Sequence, residues 1–208
     1  MNTDNTVADL LSYLDNSPTA SWATFGLASK LEKNGFRRLD EKDVWNLKKN
    51  DKFYIVRSSS ALIAGIAGSE SPGEAGCRII GAHTDSPGFR IKPEPQRSKD
   101  GMIALGVEVY GSPILATWFD RDLSIAGTLV VHEENILKRE LFMLRKPVCR
   151  IASPAIHIER QMNKEGFKVN PEENTSLLLS TSGSGFQELL ALACESAGLR
   201  EENVTGWS

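Results

Sequence analysis

The chain has 208 residues, 40% hydrophobic and 25% charged, a globular balance that excludes wholesale disorder and collagen-like repeats. Its 24 Lys plus Arg and 27 Asp plus Glu give a net charge of -3, which argues against a dedicated nucleic-acid or anionic-membrane partner. No apolar run approaches the ~18 residues of a membrane helix, and the polar opening, residues 1–14, lacks the basic and apolar regions of a secretory signal.

Residues 4–14 set Val7, Ala8, Leu10, Leu11 and Leu14 at helical spacing. Ser17-Pro18 reads as an N-cap with proline at the first helical position, and Trp22, Phe25, Leu27 and Leu31 continue that second helix to Gly35. The runs 52–57 (KFYIVR) and 61–67 (ALIAGIA) around a Ser-rich turn predict a hairpin. Residues 69–76 read as a loop, and the apolar run 77–82 (CRIIGA) as a buried strand. His83-Thr84-Asp85-Ser86-Pro87-Gly88 follows at once, where α/β folds often place their chemistry. Residues 91–100, Pro-rich and charged, read as an inter-domain crossing. Strand-like runs at 103–110, 114–118, 125–132 and 137–144 then suggest a meander or small barrel. Residues 154–162 predict a short helix, and 186–197 a longer one closed by Gly198.

Cys77, Cys149 and Cys194 are odd in number and widely scattered, which fits neither a disulfide framework nor a CxxC metal site. They point to a reducing, cytoplasmic setting. Asn174-Thr175-Ser176 and Asn203-Val204-Thr205 match the glycosylation pattern, and without a signal peptide they read as chance matches.

His83 and Asp85 are the best candidates for chemistry. Residues two apart on a strand share a face. A carboxylate beside an imidazole fixes its tautomer and makes the other nitrogen a better metal ligand. The tripeptide alone reads more readily as a buried histidine bonded to a turn aspartate. His157, flanked by Ile156 and Ile158, reads on its own as a core histidine, and His132 as a surface residue. Trp118-Phe119-Asp120-Arg121-Asp122 reads as ion pairs pinning a turn over packed aromatics, with metal or substrate binding by Asp120 and Asp122 as the alternative. Gly68–Gly73 has phosphate-loop spacing, but Glu74 stands where the lysine belongs. Ser182-Gly183-Ser184-Gly185 is not a nucleophile elbow, and no HExxH is present.

In order and spacing, a series of motifs resembles the aspartyl aminopeptidase family of zinc metallopeptidases. It comprises Ser17-Pro18-Thr19, Gly35-Phe36, Ser60-Ala61-Leu62-Ile63-Ala64 and Gly81-Ala82-His83-Thr84-Asp85-Ser86-Pro87-Gly88. It continues through Val107-Glu108-Val109-Tyr110-Gly111, Trp118-Phe119-Asp120-Arg121-Asp122-Leu123, Ala126-Gly127, Ala155-Ile156-His157-Ile158 and Asn170-Pro171-Glu172. The resemblance implies an α/β fold. Residues 1–92 would be the N-terminal part of a proteolytic domain, 93–200 an inserted β-rich dimerisation domain, and 201–208 the start of the return to the proteolytic domain. It implies removal of N-terminal Asp, and less readily Glu, from peptides with two zinc ions, and assembly into homo-oligomers. It makes His83 a zinc ligand and Asp85 the catalytic carboxylate that orients it. His157 would bind metal or reach a neighbouring subunit's site. The residue that reads the acidic substrate side chain stays unknown.

Family members are longer, and their bridging aspartate, Glu-Glu pair, further aspartate and C-terminal histidine lie in their second half. The sequence is therefore expected to be an N-terminal portion, inactive alone. A dinuclear site needs a bridging ligand and further ligands on each ion, and here His83 is the one firm ligand. The alternative is a non-catalytic oligomerisation module; a different metal-dependent hydrolase has no feature in its favour beyond His83 and Asp85.

Overall fold

The computed structural model describes residues 3–181 and 185–208. The Ser182-Gly183-Ser184 stretch of the rejected elbow lies outside the described residues, as do Met1 and Asn2. The fold mixes helix and sheet, and the chain divides into two compact units, Met1–Ser86 and Pro87–Ser208.

In the first unit, α1 (Thr3–Asp15) and α2 (Ala20–Lys33) form the expected helix pair. The start of α2 differs from the sequence reading. Thr19 is the N-cap, its hydroxyl accepting from the Trp22 N–H at 3.3 Å. Ser17 instead donates to the Tyr13 carbonyl at 2.7 Å, closing α1, and Pro18 sits in the bend between the helices. Strand β1 (Arg37–Arg38) runs parallel to β2 (Lys52–Arg57), which pairs antiparallel with β3 (Ala61–Ile66) as the predicted hairpin. Its turn places Ser58 and Ser59 at φ 51° and 63°. Tyr54, 1% exposed, donates its hydroxyl to the Glu32 carboxylate and so fastens β2 to α2. Burial, then the Glu32 contact, pushes that hydroxyl's pKa up.

A short helix, α3 (Pro72–Ala75), occupies the predicted loop. The buried strand expected at 77–82 does not form. The segment is irregular, and Ile79 and Ile80 are 86% and 99% exposed. Its apolar character has no sheet to satisfy it among the described residues.

In the second unit, β4 (Gly88–Lys99) pairs antiparallel with β5 (Met102–Tyr110), and β8 (Leu177–Ser180) completes that sheet in the order β4-β5-β8. The crossing expected at 91–100 is therefore a strand. Its prolines fall in a bulge: Ile91 pairs with Val107 and Gln96 with Leu105, so residues 92–95 face Gly106 alone. Pro93 and Pro95 have no N–H for the ladder, and the bulge accommodates them. A second sheet, β7-β6-β9, is built from β6 (Ala126–Glu133), β7 (Ile136–Met143) and β9 (Val204–Trp207). The expected meander is thus two sheets, each completed by a strand from far along the chain. Residues 201–208 form a 3-10 turn (Glu201–Asn203) and β9 in this unit.

The strand expected at 114–118 is a 3-10 turn, Leu115–Trp118. The helix expected at 154–162 is irregular, with only α4 (Met162–Glu165) and α5 (Pro171–Asn174) following it. Helix α6 (Phe186–Ala197) matches its predicted span and ends on Gly198 in the left-handed region. The core joins both sheets to α6 through Leu105, Leu129, Phe142, Ile151, Leu177 and Leu189. Gly127 admits no side chain, because a Cβ there would lie 2.6 Å from the Ser208 carbonyl oxygen.

Candidate metal centre

His83 and Asp85 meet although the strand that was to align them is absent. The His83 Nδ1 lies 2.9 Å from Asp85 Oδ1. The intervening Thr84 turns the other way and donates its hydroxyl to the Ser60 carbonyl at 2.8 Å, which ties the segment to the β2–β3 turn. An ionised carboxylate only accepts, so Nδ1 carries the proton and the Nε2 lone pair is left to a ligand. The histidine side chain is 89% exposed and the aspartate's 38%. The buried-histidine reading is thereby overturned. Gly81, Ala82, His83, Thr84 and Asp85 line a shallow, solvent-open concavity.

A histidine with a carboxylate behind one nitrogen and nothing on the other is the donor arrangement of a zinc ligand. His83 fits one position of a zinc shell. Among the described residues no group of three His, Cys, Asp or Glu side chains stands together to complete one.

His157 lies in the second unit, in an exposed turn between Ile156 and Ile158, which are themselves 43% and 81% exposed. The core reading of this residue is therefore corrected. Irregular chain from residue 152 on carries it out to solvent, leaving from Ile151, which is fully buried. His132 is exposed on β6.

The Asp120–Asp122 cluster is structural, with partners that local sequence did not reveal. Asp122 pairs with Arg150 at 2.6 Å rather than with its neighbour Arg121. Asp120, at φ 54°, accepts from the Ser153 N–H at 3.1 Å, while its own N–H donates to the Ile151 carbonyl. Hydrogen bonds from the Ser153 side chain, then from its backbone, hold the Asp120 carboxyl below its usual range. Phe119 is buried beneath, edge-on to Phe167 at 4.7 Å. These contacts fix the base of the segment that bears His157. All three cysteines are free. Cys149 is buried, and that burial pushes its thiol up to about 11.

The profile of the family described as "Aminopeptidase I zinc metalloprotease (M18)" matches residues 13–204. The chain belongs to this M18 aminopeptidase family. Zinc is the family's metal. Among curated proteins, "Probable M18 family aminopeptidase 2" of Pseudomonas paraeruginosa strain PA7 is 40% identical over 196 residues, covering 94% of this chain and 46% of that protein. Its namesake in Pseudomonas putida KT2440 gives the same identity and coverage. Among solved structures, the Ape4 and Nbr1 complex matches with TM-score 0.85 at 29% identity, over 96% of this chain and 42% of that one. The S. cerevisiae mApe1 dodecamer matches with TM-score 0.81 at 25% identity, over 99% and 47%. The chain spans about half the length of the curated relatives it matches. No helix among the described residues is long and apolar enough to cross a membrane.

Proposed function

We propose that this chain is the N-terminal portion of a zinc aminopeptidase that removes N-terminal Asp or Glu from peptides in the cytoplasm. Residues 1–92 contribute to the proteolytic domain and 93–200 form a dimerisation domain through which copies self-associate. The observation that carries this reading is the His83–Asp85 pair at 2.9 Å, its imidazole open to solvent, in a chain that matches the family profile over 13–204. Zinc bound there supplies Lewis-acid polarisation of the scissile carbonyl. Asp85 holds the ring in the tautomer that offers Nε2 and raises its basicity. Thr84, bonded to Ser60, keeps the two side chains from turning away together. His157 stands on an exposed turn, as a residue that reaches a neighbouring subunit's site must.

With one firm ligand in the described residues, the chain alone holds zinc too weakly for turnover. The test supplies the chain with the C-terminal half of the 40%-identical Pseudomonas relative and measures bound zinc and release of an N-terminal aspartate from a chromogenic substrate. Zinc uptake and turnover that vanish in His83→Ala support the proposal. Retention of both in His83→Ala refutes it. The alternative, a purely structural oligomerisation module, draws on the same ligand count and requires that neither zinc nor turnover appears with the second half present.

A further inference from the structure

The sheet β7-β6-β9 ends on β7, and among the described residues no strand or isolated bridge pairs with the outer side of β7. The geometry of that edge can be worked out from its turn. Glu134 and Asn135 form a two-residue loop at φ 49° and 63°, and Glu133 opposes Ile136. Such a loop is closed by a hydrogen-bonded pair, and pairs then alternate along an antiparallel ladder. Ile136, Lys138 and Glu140 therefore direct their backbone groups to β6, and Leu137 and Leu141 direct theirs outward. Ile136 and Leu137 are 57% and 67% exposed.

We propose that β7 is the edge through which two copies of this chain join, antiparallel about a two-fold axis at residue 139, making one six-stranded sheet. The proposal rests on the reading above that the chain self-associates, and names the surface. In this register Leu137 exchanges backbone hydrogen bonds with Leu141 of the second copy, and reciprocally. Lys138 stands opposite Glu140 of the second copy twice over, and Leu137 opposite Leu141 twice over. Charge selects this register. A shift of two residues one way sets Lys138 against Lys138, and the other way sets Glu140 against Glu140. Charged residues on an open edge normally deter a passing strand; these deter all but the strand that carries the same pattern reversed. Opposite charges directly across a strand pair stabilise it and like charges oppose it.

The test compares the whole chain with Lys138→Glu and Glu140→Lys by sedimentation across a concentration series. Both side chains are exposed, so each variant keeps its fold. Each variant alone sets like charges opposite each other at two places and should weaken self-association by about tenfold or more. Mixing the two variants restores complementary pairs at both places and should recover the affinity of the original chain. Variants that associate as the original does, or a mixture no tighter than its components, overturn the β7 edge while leaving self-association standing. An original chain that stays monomeric throughout overturns the self-association reading as well.

Discussion

The two units of this chain bury their apolar residues to very different degrees. In Pro87–Ser208, thirteen buried residues form one cluster under two sheets and a helix. In Met1–Ser86, the buried apolar residues are Ala23, Tyr54 and Ile55, while Leu10, Leu11, Leu14, Ile63, Ile66, Ile79 and Ile80 stand exposed. The sequences are similarly apolar, so composition does not make the difference. The second unit closes its sheets with strands from its own end; the first presents apolar helix and sheet faces with nothing over them among the described residues. The candidate zinc ligand lies in the open unit, at the end of its least covered segment. A site assembled from distant parts of a chain would leave its first ligand in that position.

Hydrogen exchange should show the contrast most strongly. Amides of β5 and β6 should exchange slower than those of 77–82 by three or more orders of magnitude, on the order of the span between global and local opening. Equal protection in both would erase the distinction between the units. Next in size, truncation should discriminate by burial. Leu105→Ala, at a fully buried position, should cost about 2–5 kcal/mol in urea unfolding, whereas Ile80→Ala, at 99% exposure, should stay within about 0.5 kcal/mol.

Much of this contrast was legible in the sequence, and what was not has a common cause. The α6 span, the β2–β3 hairpin and the β6 and β7 strands follow from local periodicity and turn chemistry. The Asp122–Arg150 pair, the Asp120–Ser153 bond and the β8 and β9 pairings join residues far apart, and no local pattern announces them. Residues 77–82 read as a strand because their apolar run is that of one; a strand also needs a neighbour, which a run of six residues does not reveal. At the site, His83 and Asp85 were identified as a pair, but Thr84 as their anchor on Ser60 was not.

Smaller effects follow for the thiols. Cys77, exposed in the first unit, should react with a maleimide in the native chain, while Cys149 and Cys194 should react only on unfolding. Because the Cys149 thiol is pushed up from 9.0 to about 11, the stability its burial carries is intact below pH 9 and declines as pH rises through that interval. Asp120 acts with the opposite sign. Its folded carboxyl sits below its ordinary value, so its contribution is present above that value and lost as pH falls below it. Asp120→Asn should remove that acid-side loss, as read from unfolding midpoints against pH.

The role given to His83 is tested most directly by long-range nitrogen NMR on the neutral imidazoles of the chain itself, with and without zinc. The account predicts a proton on the His83 Nδ1, an unprotonated Nε2 that shifts on zinc addition before either nitrogen of His132 or His157, and loss of that preference in Asp85→Ala. A proton on Nε2 in the original chain, or zinc shifting another histidine first, would contradict it.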